Sequence, residues 1–142
     1  MFTLEDLKNV KPERICETYD DIPHPDMKLA RDGVKISCRF RSLFSSEYLK
    51  LMASATTSSG KPIAWRMASM SSILVAHCWV DENGDRVMPD DKMVMQPFWK
   101  QSSPGFLEAM VAKAREICSV VAKDEDEDEE KNAESPETEG TE

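Results

Sequence analysis

The chain has 142 residues, enough for one domain with its own core, and a net charge of −9. Residues 124–142 hold 11 of the 27 acidic side chains and one of the 18 basic ones, so residues 1–123 carry 17 basic against 16 acidic groups, a balance of +1. A near-neutral body with a polyanionic end is a poor nucleic-acid binder, because phosphate recognition needs a basic surface, and no apolar run approaches the roughly 18 residues that cross a bilayer.

The N-terminal stretch MFTLEDLKNV has acids where a secretory signal carries lysine or arginine, and no small-residue cleavage site follows it. A soluble, intracellular protein is expected. Four cysteines (16, 38, 78 and 118) are scattered without a CxxC pair. In that setting they are expected to be reduced and to behave as small apolar side chains.

Residues 1–32 read as a partly irregular arm. TLEDL suits a short helix capped by Thr3 and answered by Asp6, but prolines 12, 23 and 25 interrupt regular structure. From 34 to 40 the sequence alternates, with Val34, Ile36, Cys38 and Phe40 on one side and Lys35, Ser37 and Arg39 on the other. That period of two predicts a half-buried strand introduced by the turn pair Asp32-Gly33. A helix capped by Ser45 or Ser46 follows, with Leu49, Met52 and Ala53 on its apolar face, and TTSSGKP is a loop.

Residues 63–79 place Ile63, Met67, Met70, Leu74 and Cys78 at spacings of three and four, one stripe of a continuous helix, with Trp65 and Trp79 on a second side. In HCWVDENGDRVMPDDKM, Asp81, Asn83 and Asp85 have the spacing that opens a calcium loop. Counting on from Asp81, position 6 is Arg86 instead of glycine and position 12 is Lys92 instead of the chelating glutamate, so the ion is rejected. Asn83-Gly84 between apolar flanks predicts a tight turn. Zinc is also rejected, since His77 and Cys78 are adjacent and point about 100° apart on a helix.

Pro89 is placed in the first turn of a further helix reaching about Trp99 or Lys100, interrupted or kinked by Pro97. Ser103 as cap and Pro104 at the first helical position open the last helix. Phe106, Leu107, Met110, Val111, Ala114, Ile117, Cys118 and Val121 give it the cleanest apolar stripe in the sequence. From 124 onward the chain lacks aromatic and branched aliphatic residues, and a disordered acidic tail is expected. The fold class expected is mainly α (α+β). A small N-terminal β element precedes a bundle of about four helices, with the arm at 1–32, the helical domain at 33–123 and the tail at 124–142.

Chemistry has few handholds. Two histidines sit in no nucleophile–base setting, and GxSxG, HExxH and a phosphate-cradling glycine loop are all missing from the sequence. No catalytic, cofactor-binding or metal-binding residue is assigned, and an enzyme is not expected. Three tryptophans and nine methionines favour a protein that binds proteins. The candidate partner-binding residues are Trp65, Met67, Met70, Trp79, Phe98, Trp99, Phe106 and Met110. For any one of them, a plain core role is the competing explanation.

The order of features is similar to that of a known family. An alternating strand leads into RSLFSSEYLKLM, a helix ends in ILVAHCWVDENGDRVM, and a last amphipathic helix precedes DEDEEKNAESPE. Over roughly residues 33–132 this resembles the tail assembly chaperones of siphophages, the long-tailed bacteriophages. The resemblance implies a mostly helical, non-enzymatic protein that works in the cytoplasm of the bacterial host and is absent from the mature virion. It would bind the tape-measure protein and help recruit tail-tube protein, and several copies along one client would favour self-association; the charge balance and the short apolar runs point to no nucleic-acid or membrane partner. The segment from Asp124 would be where a frameshifted longer product diverges. The rival reading is an acidic-tailed adaptor or nucleic-acid-mimic decoy, and a third, weaker one is a small-molecule enzyme with an unrecognised site.

Overall fold

The computed structural model describes residues 1–120. In chain order it contains α1 (Leu4–Lys8), β1 (Cys16–Pro23), α2 (Met27–Arg31), β2 (Lys35–Arg41), α3 (Ser45–Ala53), α4 (Ala64–Ala68), α5 (Met70–Cys78), β3 (Trp79–Val80), α6 (Lys92–Gln101) and α7 (Pro104–Ile117). The acidic tail expected at 124–142 lies outside the described residues.

The architecture corrects the expected helical bundle. A three-stranded antiparallel sheet, ordered β1-β2-β3, forms one side of the domain, and α7 packs across β1 and β2 while also lying along α5. The fold is a small α+β arrangement. Its strands come from three separated stretches, and among the described residues three of the seven helices have only five residues.

β2 forms where the alternation places it. Cys38 and Phe40 are buried and Ile36 half-buried, and Gly33 supplies the positive φ (83°) that turns α2 into the strand. β1 falls inside the stretch expected as an arm. Only Ile22 is fully buried, with Tyr19 and Pro23 partly so, and the register shifts between Tyr19 and Ile22 around Asp20 and Asp21. A bulge breaks the period of two, so the strand has no clean alternation to read.

The single helix expected over 63–79 is two. It breaks at Ser69 (φ −114°, ψ 14°), which ends α4 and begins α5. The local sequence Ser69-Met70-Ser71-Ser72 is rich in hydroxyls that compete for backbone groups, and the Ser72 hydroxyl donates to the Ser69 carbonyl at 3.0 Å. Trp79, expected at the helix end, is extended and pairs with Phe40.

The next helix also starts later than expected. Asp91 caps α6 by accepting from the Met93 N–H at 2.9 Å, so Pro89 lies outside it, while Pro97 is accommodated within. α7 is built as its sequence dictates at the start. Ser103 accepts from the Phe106 N–H at 3.2 Å and donates its hydroxyl to the His24 carbonyl at 2.8 Å, joining the cap to the loop after β1. The helix stops at Ile117, before the Val121 expected in its stripe. Ser119 and Val120 N–H groups close onto the Glu116 and Arg115 carbonyls at 3.0 and 2.9 Å, the bonding pattern of a Schellman end.

Ile22, Phe40, Ile73, Val75, Cys78, Met95, Phe106 and Met110 are among the side chains that fill the core between sheet and helices. Among the described residues no helix is long and apolar enough to cross a membrane.

Candidate partner-binding surface

The eight residues picked out as partner-binding do not make one exposed face. Phe106 and Met110 are completely buried. Trp65, Met70, Trp79, Phe98 and Trp99 are half-buried and pack onto the same core. Only Met67 is largely exposed, at 55%.

Phe106 organises the aromatic members. Trp79 and Phe98 meet it edge-on with centroids 5.9 Å away, and Trp99 stacks on it at 5.7 Å. These side chains arrive from β3, α6 and the first turn of α7, so the cluster locks three elements together. Such contacts add about 0.5–1.5 kcal/mol each beyond burial, which makes the cluster primarily a source of stability.

Exposed apolar surface lies elsewhere. Phe2, Leu4, Leu7, Val10 and Ile15 are all more than half exposed, and α1 buries no residue. Yet α1 has a complete capping box. The Thr3 hydroxyl accepts from the Asp6 N–H at 3.2 Å, and the Asp6 carboxylate accepts from the Thr3 N–H at 2.8 Å. Leu4 and Leu7, three residues apart, share one side of this helix. A five-residue helix is far below the roughly 12 residues needed for stability in isolation, and its apolar side has no cover within the described chain. Met93 (79% exposed) and Val94 at the start of α6 extend the inventory of uncovered apolar groups.

Along α7 runs an open trough of about 550 Å³, lined by Leu107, Val111, Ala112 and Val120 with the charged Glu108, Arg115 and Glu116, and by Ser71 of α5 across it. The Arg115 guanidinium donates to the Ser71 hydroxyl at 3.1 Å and ties the two walls. Its apolar part arises because α7 turns its Leu107 and Val111 side partly away from the core, while Phe106, Met110 and Ala114 fill the inside.

A polar cleft of about 380 Å³ occupies another side, where α3, α4, α5 and the loop before α6 converge. Asp90 is its hub. It accepts two parallel bonds from Arg66, both 2.8 Å, and one from His77 Nε2 at 2.9 Å. Arg66 also donates to Ser54 Oγ at 3.1 and 2.7 Å. The Arg66 hydrogen bonds hold the Asp90 carboxyl down at about 2, against the opposing effect of burial. Burial lowers the His77 pKa more than Asp90 raises it, so the imidazole is neutral near pH 7 and donates its Nε2 proton.

At the edge of this cleft Glu47 receives Arg14 in a two-pronged pair at 2.8 and 3.0 Å and also accepts the Phe44 N–H at 2.8 Å. Those bonds depress its carboxyl to about 2. Arg14 thereby fastens the end of the N-terminal segment to α3, leaving the residues before it uncovered.

None of this network was readable in the sequence. Asp90 and Asp91 look like a pair of helix-start acids, but only Asp91 caps. Arg66 and Asp90 are 24 residues apart, and no spacing rule links them. In the loop before, Asp81 uses its carboxylate on its own turn, accepting from the Asn83 and Asp85 N–H groups at 2.8 and 3.0 Å, while Gly84 takes φ 86°. The segment is a turn, as the Asn83-Gly84 pair implies.

No family model matches the chain, and comparisons with curated proteins and with solved structures likewise give no match.

Proposed function

We propose that this chain is a non-enzymatic assembly chaperone of siphophage tails, acting in the host cytoplasm and left out of the finished virion. Its client is the tape-measure protein, whose long helices carry apolar faces that need cover until the tail tube closes around them. Tail-tube subunits are the second partner, and several copies coat one client.

One observation carries this reading: the N-terminal segment is capped and amphipathic, yet buries none of Phe2, Leu4, Leu7 or Val10. A helix of that length gains its stability by packing, so the missing surface is one that a partner supplies. The α5–α7 trough and exposed Met67 and Met93 add adaptable apolar contact area of the kind used for variable clients.

Co-expression tests it. A tape-measure protein from the same phage is expected to stay in the soluble fraction when the chain is present and to precipitate without it. Equal precipitation in both cases contradicts the proposal. Mass spectrometry of purified virions is expected to find the tape-measure protein and not this chain.

A further inference from the structure

Two thiols meet where α5 and α7 end. Cys78, the last residue of α5, is completely buried, and Cys118, the C-cap of α7, is half-buried. Their sulfurs are 3.5 Å apart and both cysteines are free. Each backbone is held in place. Trp79 and Val80, directly after Cys78, are paired with β2. Cys118 sits in the closed end of α7, where Ser119 takes a left-handed φ of 56° and Val120 bonds back to Arg115. The approach of the sulfurs therefore follows from how the two helices pack, and bond formation needs only a small further movement.

We propose that Cys78 and Cys118 form a peroxide-oxidisable dithiol that closes reversibly into an intramolecular disulfide. The two thiols are unequal. Cys78 lies deeper in the core, and its hydrogen bond to Cys118 together with burial pushes its thiol up, while the same bond lowers Cys118. Cys118, the more accessible of the two, is therefore the first nucleophile.

The Cys118 thiolate attacks one oxygen of a hydroperoxide. The O–O bond breaks, the leaving oxygen takes a proton, and Cys118 becomes a sulfenic acid. The Cys78 sulfur then attacks the Cys118 sulfur and the S–O bond breaks. Hydroxide departs with the Cys78 proton as water. Two thiols are oxidised and one hydroperoxide is reduced, to two waters when the oxidant is hydrogen peroxide. Cys16 is exposed and Cys38 is buried, and among the described residues neither contacts another sulfur. Burial pushes the Cys38 thiol up to about 11, which keeps it unreactive.

The test uses the full chain with Cys16→Ser to suppress intermolecular linkage, treated with hydrogen peroxide and digested without reductant. The expected result is a loss of about 2 Da from the intact mass, a peptide linking Cys78 to Cys118, and full reversal by dithiothreitol. Cys118→Ser should abolish both the mass loss and the linked peptide. If that variant fails to fold, peptide mapping of the parent decides alone. Accumulation of sulfinic or sulfonic acid at Cys118 with no linked peptide overturns the proposal. So does a chain in which both thiols stay reduced while free cysteine in the same tube is oxidised.

Discussion

Phe2 and Phe106 are the same side chain in opposite circumstances, 69% exposed in one case and wholly enclosed in the other. Around Phe106, three secondary-structure elements converge with Trp79, Phe98 and Trp99 in contact. Around Phe2, a capped helix carries Leu4 and Leu7 into solvent. What separates the two regions is whether the chain itself supplies a second surface. Apolar residues alone therefore do not tell an enclosed side chain from an exposed one; the fold does.

The largest expected effect lies on the enclosed side. Phe106→Ala removes the ring on which the cluster is built, with an expected loss of about 3–5 kcal/mol of stability by urea unfolding. A loss under 1 kcal/mol would place the cluster outside the core and break the contrast with the N-terminal segment. Next comes the polar cleft. Asp90→Asn leaves the Arg66 guanidinium, only 13% exposed, facing a neutral amide. The expected cost is about 1–2 kcal/mol in the same assay, reduced from a fully buried pair by solvent access.

Acid titration sharpens the same division, because the two carboxyls held down to about 2 lie on the body and its clamp, while Asp6 in α1 is lowered only by its own capping bonds with Thr3. His77 is held below its ordinary 6.5, mainly by burial, so the unfolded chain takes up that proton more readily. Stability should begin to decline below about pH 6.5. Asp90 and Glu47, lowered from 3.8 and 4.5 to about 2, contribute stability that is present above their unfolded values and lost as pH falls towards 2. In Asp90→Asn the lower step of the unfolding free energy against pH should shrink, and an unchanged step would remove Asp90 from that role.

The smallest stability effect is expected in the N-terminal segment. Leu4→Ser with Leu7→Ser should change unfolding free energy by no more than about 0.5 kcal/mol, since neither side chain is buried. The same double variant should lose the ability to keep the tape-measure protein soluble. A large drop in stability would show that the segment packs on its own body.

Local rules made some of this fold legible and left the rest unreadable. The start of α7 could be read because Ser103, Pro104 and an unbroken 3.6-residue stripe agree, and β2 because Ile36, Cys38 and Phe40 alternate without interruption. β1 could not, since the bulge at Asp20 and Asp21 leaves two inward side chains out of phase. The stripe through Ile63, Met67, Met70 and Leu74 suggested one helix, while the serines at 69, 71 and 72 set the break between two. Those errors compounded into the expected bundle: a missed strand and a helix extended through Trp79 hid two of the three strands. The Trp, Phe and Met residues chosen as partner-binding were found by size, which does not distinguish Phe106 in the core from Met67 on the surface. The capped helix at TLEDL was legible in its Thr3 and Asp6, whereas the exposure of Leu4 and Leu7 was not, because no local rule says what a five-residue helix packs on.

Hydrogen exchange on backbone amides of residues 2–10, with and without the tape-measure protein, tests the central claim most directly. The free chain should exchange there within the fastest phase, whereas the amides around Phe106 stay protected. On adding client, protection is expected to rise over Phe2 to Val10 and to remain unchanged around Phe106. A segment already protected in the free chain, or one that stays unprotected in the presence of client, would contradict a partner-covered N-terminal surface.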